Sequence, residues 1–123
     1  MFVNGKKVVE TPVVTGKVGA RATPQGVYML KNKMMDVPLV GDNYVTPVKY
    51  WMPFYANVGI HDASWRTEYG GDIYLTNGSH GCVNTPYTEA EKVFNAIEIG
   101  DPVIVYYSLD DVTGPQPTQK NSL

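Results

Sequence analysis

A chain of 123 residues that is 43% hydrophobic and 18% charged suits one globular domain with a single core. Its formal net charge of −2, with ten Lys and Arg spread along the chain, provides no cationic field for a polyanion, so nucleic acid is not an expected partner. No apolar run is long enough to span a bilayer as a helix, and the N-terminal MFVNGKKVVE has no signal-peptide apolar region.

The first element is a turn. Val3-Asn4-Gly5-Lys6 has the Asn-Gly chemistry of a hairpin, which needs a strand on each side. Only Met1, Phe2 and Val3 precede it, so the sequence predicts either a very short first strand or a C-terminal piece of a longer protein, and the second is favoured. Short β-type runs follow at residues 7–15, 26–30, 44–52, 58–61, 72–75 and 103–107, separated by Gly, Pro and Asn. Regular short strands between turn residues predict a sandwich or barrel.

One segment has helical spacing. Residues 88–99 place Ala90, Val93, Phe94 and Ile97 on one face, Thr88 and Glu91 have capping-box spacing, and Gly100 with Pro102 supplies a stop. From Asp110 the sequence turns polar and Pro-containing, which predicts a loose tail over 110–123 after a domain over 1–109.

The only cysteine lies in GSHGCVN, residues 78–84. A free Cys is ordinarily small core filler, but a glycine-flanked polar segment before a helix is where a scaffold carries reactive groups. Nucleophilic use of Cys82 requires a thiolate, a base to generate it, and donors for the oxyanion formed at a carbonyl. A thiol with an ordinary pKa of about 8.5 is only slightly ionised at neutral pH, so an imidazole partner matters.

In an extended segment His80 and Cys82 point to one side but stand about 6.6 Å apart, whereas a residue on an adjacent strand comes within about 5 Å. The base is therefore expected to be His61, which ends the run Asn57-Val58-Gly59-Ile60, with Asp62 as its orienter and His80 in support. Gly81 and Cys82 are the expected oxyanion N–H donors. Ser79 either orients an imidazole or bonds local backbone, and Asn84 either fixes the loop, binds substrate or forms a turn. A metal site from His61, Asp62, His80 and Cys82 lacks a paired ligand motif, and adjacent His61 and Asp62 do not readily converge on one ion, so no metal is expected.

His61, the seventeen residues 62–78, and then Ser79-His80-Gly81-Cys82-Val83-Asn84 resemble the signature of the L,D-transpeptidase catalytic domain, the YkuD domain. VVTGK at 13–17, TPQGVY at 23–28, YWMPF at 50–54, GIHDASWR at 59–66 and GDPVIVY at 100–106 extend the resemblance over residues 6–107. It implies a mainly β fold of two packed sheets with one amphipathic helix, and a cleft holding the S-H-G-C segment.

The substrate it implies is the stem peptide of peptidoglycan, as acyl donor and as acceptor. Cys82 would attack the carbonyl of the third stem residue and expel the terminal D-Ala, and an amine of a neighbouring stem would resolve the thioester into a 3→3 cross-link. No cofactor is implied, because a thioester conserves the energy of the cleaved bond. Met52 and nearby aromatics, Tyr50 among them, would line the donor site, although alternate residues of this stretch, Trp51 and Phe54 included, equally suit a core. Arg66 suits either a stem carboxylate or an ion pair with Glu68 or Asp72. Such a substrate lies outside the plasma membrane, which predicts an exported or membrane-anchored protein. The rival readings are an L,D-carboxypeptidase with the same nucleophile and a non-enzymatic murein-binding module.

Overall fold

A computed structural model describes residues 1–106 of the chain; the tail expected from Asp110 lies outside them. At the N-terminus, β1 (Phe2–Val3) and β2 (Lys6–Lys7) pair antiparallel around Asn4 and Gly5, at φ 51° and 78°. Two successive positive φ angles define the hairpin turn that Asn-Gly favours. β1 is two residues long and both of them pair with β2. Beyond Lys7 the predicted run over 7–15 is not a strand: Pro12 has no N–H to give, and pairing resumes only where Val14 and Asn84 exchange backbone hydrogen bonds of 2.9 and 2.8 Å.

Six further strands make two sheets. β3 (Gly26–Met29) pairs antiparallel with β8 (Pro102–Val105). The larger sheet has the order β4-β5-β6-β7, from β4 (Met34–Val40), β5 (Val45–Tyr55), β6 (Val58–Asp62) and β7 (Val83–Thr85). The fold is mainly β as expected, with the N-terminal hairpin as a third small sheet. Strand β4 was not foreseen; its sequence, MMDVPLV, contains a proline and an aspartate at φ 54° that mask the β pattern.

β5 alternates strictly. Val48, Tyr50, Met52 and Phe54 are buried, while the residues between them face the other side. On the buried face α2 (Tyr87–Ala96) packs Ala90 and Val93, and Ile97 follows at its end; with Val9, Leu30, Tyr50 and Met52 these form the main core. The predicted helix therefore exists with the predicted apolar face. Its start differs: Pro86 precedes the first turn in extended conformation, Thr88 lies inside that turn, and Glu91 accepts the Tyr50 hydroxyl proton at 2.6 Å, so there is no capping box. Gly100, at φ 93°, turns the chain into β8 and donates to Leu30 O at 2.8 Å.

The expected strand at 72–75 is a helix, α1 (Ile73–Asn77). Ile, Tyr and Leu favour strands only where a neighbouring strand is available to pair. Here Gly70 and Gly71, at φ 83° and 57°, turn the chain, and local bonds such as Leu75 N–H to Asp72 O at 3.0 Å close a helical turn instead.

Candidate active site

β6 and β7 run parallel, with Ile60 opposite Val83, His61 opposite Asn84 and Asp62 opposite Thr85. Parallel neighbours need a crossover of a dozen residues or more. Residues 63–82 are that crossover, which gives the fixed spacing between His61 and the S-H-G-C segment its physical cause. Its return places Cys82 directly before β7, beside the strand that carries His61. His61, Cys82 and Asn84 open into one cleft of about 310 Å³, rimmed by Tyr44, Trp65 and Arg66. That is room for a short peptide segment.

The thiol is half-buried. Cys82 Sγ lies 3.4 Å from Asn57 O and also meets the Gly59 N–H. A Cβ on Gly59 would stand 2.8 Å from the Trp51 ring and 2.7 Å from backbone, so only glycine lets the strands close here. Burial pushes the Cys82 thiol above its ordinary pKa, and the Gly59 N–H offsets part of that rise.

His61 is buried, with its ring between Trp51, centroids 5.9 Å apart, and Trp65 at 5.8 Å. Burial lowers its pKa; the Asp62 carbonyl and the Asp62 charge oppose the shift, and Arg66 adds to it. Its Nδ1 is 2.7 Å from Asp62 O. A carbonyl only accepts, so Nδ1 carries the proton and Nε2 presents a lone pair. Both shifts favour a neutral thiol beside a neutral imidazole whose Nε2 is the acceptor.

The orienter is thus the Asp62 backbone, not its carboxylate. The carboxylate is buried and turned toward β5, where Oδ1 accepts the N–H groups of Lys49 at 3.0 Å and Tyr50 at 2.8 Å. The β5–β6 ladder ends at the pair Trp51 and His61, and the Asp62 side chain takes donors that the ladder no longer reaches.

The Asn84 amide is assigned from its neighbours. Its nitrogen donates to His61 Nε2 at 3.1 Å, and its oxygen accepts from Arg66 Nε at 2.8 Å and Nη2 at 3.2 Å. Asn84 is therefore a buried strand residue joining imidazole to guanidinium, not a turn former. Arg66 Nη1 also donates to Asn77 O at 2.9 Å. Of the two alternatives for Arg66, the ion pair with Glu68 or Asp72 does not occur among the described residues, where the only side-chain ion pairs are Lys7–Glu10 and Lys49–Asp36.

Ser79 takes its local role. Its Oγ donates to Cys82 O and accepts the Gly81 N–H at 3.1 Å, bracing the loop from inside. That bond commits the Gly81 N–H, one of the two expected oxyanion donors. His80 is exposed, edge-on to Tyr44 with centroids 5.4 Å apart.

Met52 and Tyr50 do not line the cleft. Both fall on the even-numbered face of β5, in the core under α2, with Met52 0% exposed and Tyr50 stacked on Phe94 at 5.0 Å. The odd-numbered Trp51 faces the site. Sequence reading gave no site role to Trp65 or Tyr44: Trp65 stood only within the GIHDASWR match and Tyr44 only as the first residue of the run 44–52.

The family model for the L,D-transpeptidase catalytic domain, YkuD, matches residues 1–105. A curated relative, "Probable L,D-transpeptidase 3" of Mycobacterium tuberculosis, is 36% identical over 94 residues, which cover 68% of this chain and 34% of the relative. A crystal structure of a cysteine-to-serine mutant of Enterococcus faecium L,D-transpeptidase superposes with a TM-score of 0.79 at 45% identity, covering 84% of this chain and 43% of that one. The solution structure of the catalytic domain from E. faecium L,D-transpeptidase acylated by ertapenem gives 0.75 at 45% identity, covering 85% of this chain and 84% of that one. The chain spans between about a quarter and less than half of the length of the curated relatives it matches. With a histidine on β6 and a cysteine directly before the parallel β7 lining one cleft, and a family match running from the first residue through β8, the chain belongs to the YkuD family of L,D-transpeptidase catalytic domains.

Proposed function

We infer that the chain carries out acyl transfer on peptidoglycan stem peptides through a Cys82 thioester. The observation that carries this reading is the pairing across β6 and β7: a thiol, and an imidazole whose Nδ1 proton is pinned by Asp62 O at 2.7 Å, share one cleft. Cys82 Sγ attacks the carbonyl of the third stem residue while its proton passes to His61 Nε2, which gives up the Asn84 N–H it accepts at rest. The oxyanion is held by the Cys82 N–H. Collapse expels D-Ala, whose amine takes the proton back from His61. An acceptor amine then attacks the thioester and gives a proton to His61, which passes it to the departing Cys82 thiolate, leaving a 3→3 cross-linked product, a free thiol and a neutral imidazole.

Side chains around the cleft suit a peptide carboxylate. Arg66 is the one formal cation among the lining residues and no Asp or Glu lines it, although the chain as a whole carries a net charge of −2. Asn84 ties that guanidinium to the imidazole, so the group that recognises charge and the group that moves protons share one support. Tyr44, His80 and Trp65 form the rim over which the stem would pass. The substrate places the working enzyme outside the plasma membrane.

Hydrolysis of the same thioester by water is the rival outcome. Mass spectrometry of a tetrapeptide substrate with and without an acceptor amine separates the two: a cross-linked product is expected with acceptor, and tripeptide alone in both reactions would overturn transfer. Cys82→Ala is expected to abolish both products. The E. faecium domain accepts ertapenem as an acyl group, so an intact-mass adduct on Cys82 is expected here as well.

A further inference from the structure

We propose that Thr23 is a positioning residue for acylation, aiming the Cys82 N–H at the oxyanion through the Gly81–Cys82 peptide. The proposal rests on the reading above in taking Cys82 as an acyl-accepting nucleophile. Thr23 is completely buried and lies outside the cleft lining. Its hydroxyl accepts the Gly16 N–H at 2.9 Å and donates to the Gly81 carbonyl at 2.7 Å. With one donor already pointed at the oxygen, the hydroxyl proton is directed to that carbonyl.

The Gly81 carbonyl and the Cys82 N–H belong to one peptide unit. In a planar trans peptide they point in opposite directions, and the described residues contain no cis bond. Holding the carbonyl inward on buried Thr23 therefore turns the Cys82 N–H outward. Three neighbouring N–H groups of the loop are committed: Gly81 to Ser79 Oγ at 3.1 Å, Ser79 to Thr15 O at 2.9 Å and Asn84 to Val14 O at 2.8 Å. Among the described residues the Cys82 N–H has no hydrogen-bond partner.

The constraint is needed at this position. Gly81 sits at φ 133°, a conformation that side-chain-bearing residues rarely adopt, and a glycine leaves its adjoining peptides free to rotate unless something holds them. The chain from Gly16 N–H through the Thr23 hydroxyl to Gly81 O also polarises the peptide, strengthening the Cys82 N–H as a donor.

Two reagents on the same thiol test this. p-Nitrophenyl acetate acylates through a tetrahedral oxyanion, whereas iodoacetamide alkylates by displacement at a saturated carbon with no oxyanion. In Thr23→Val the nitrophenolate burst is expected to slow by about tenfold or more, short of the full loss of an oxyanion donor. The alkylation rate and its pH profile are expected to stay put, and Thr23→Ser, which keeps the hydroxyl, should restore most of the burst. Equal slowing with both reagents, or no slowing with either, would overturn the assignment; so would a wild type that alkylates but never acylates. Turnover of a tetrapeptide stem is read separately: a protein inert toward stems but acylated by the ester in a Thr23-dependent way keeps the positioning role and loses the substrate.

Discussion

Asp62→Asn separates two roles that a carboxylate beside an active histidine can have. In the structure its Oδ1 accepts two main-chain N–H groups, Lys49 at 3.0 Å and Tyr50 at 2.8 Å, with Oδ2 at 3.1 Å from the same Lys49 nitrogen. An asparagine keeps one acceptor oxygen, loses the charge, and places an amide donor opposite the Lys49 N–H. Loss of charge assistance costs about 1 kcal/mol per bond, so the two bonds together lose about 2 kcal/mol. For a domain of this size that lowers Tm by about 8 °C. The His61 tautomer is set by the Asp62 carbonyl, which the substitution leaves in place, so the acylation rate at 25 °C should fall only slightly. Urea unfolding gives the stability, and the rate of β-lactam adduct formation gives the chemistry. A variant of full stability whose acylation has dropped a hundredfold would refute the reasoning and return the carboxylate to His61.

Asn84→Asp puts an acceptor where His61 Nε2 now receives an N–H while Nδ1 stays on Asp62 O, which favours an imidazolium protonated at both nitrogens and removes the base; acylation should fall by at least about a hundredfold, with the second proton visible in imidazole ¹⁵N shifts. For the wild type, burial depresses His61, so the imidazole stays a base to lower pH and the acid limb of kcat/KM should lie below the ordinary histidine value of about 6.5. The thiol shifts the other way, and the pH profile of iodoacetamide alkylation should inflect above the ordinary cysteine range; an inflection well below it would reveal a preformed ion pair and refute the neutral resting state. Met52→Ala should cost about 3 kcal/mol in unfolding free energy and leave KM for a stem peptide unchanged, because Met52 is fully buried in the core.

What could be read from sequence was whatever local chemistry decides. Asn4-Gly5 demanded its hairpin because two left-handed residues in succession are cheap only for such pairs. The α2 face was legible because Ala90, Val93 and Ile97 repeat at helical spacing over a length that tolerates error in the caps. α1 was not, since five residues of strand-favouring composition become helix only when the glycines beside them turn the chain away from any partner. The Met52 and Tyr50 assignment failed on parity. Position along β5 was right, but which alternate set faces α2 is a property of the packed sheet, and it sends Met52 inward and Trp51 to the imidazole.

The base assignment depended on a distance that adjacency in sequence obscures. His80 stands two residues from Cys82 yet leans out on Tyr44, whereas His61 arrives from the next strand because a parallel pair must be joined by a long crossover. The same crossover carries Trp65 and Arg66 over the imidazole, so one topological requirement builds the wall of the cleft, its cation and the spacing of its motif. The supports were invisible for the opposite reason. Thr23 meets Gly81 across 58 residues, and Asp62 reaches β5 with its side chain while serving His61 with its backbone. A residue name in a motif does not say which of its atoms is used, so a substitution at Asp62 that changes only the side chain asks a different question from one that moves the main chain.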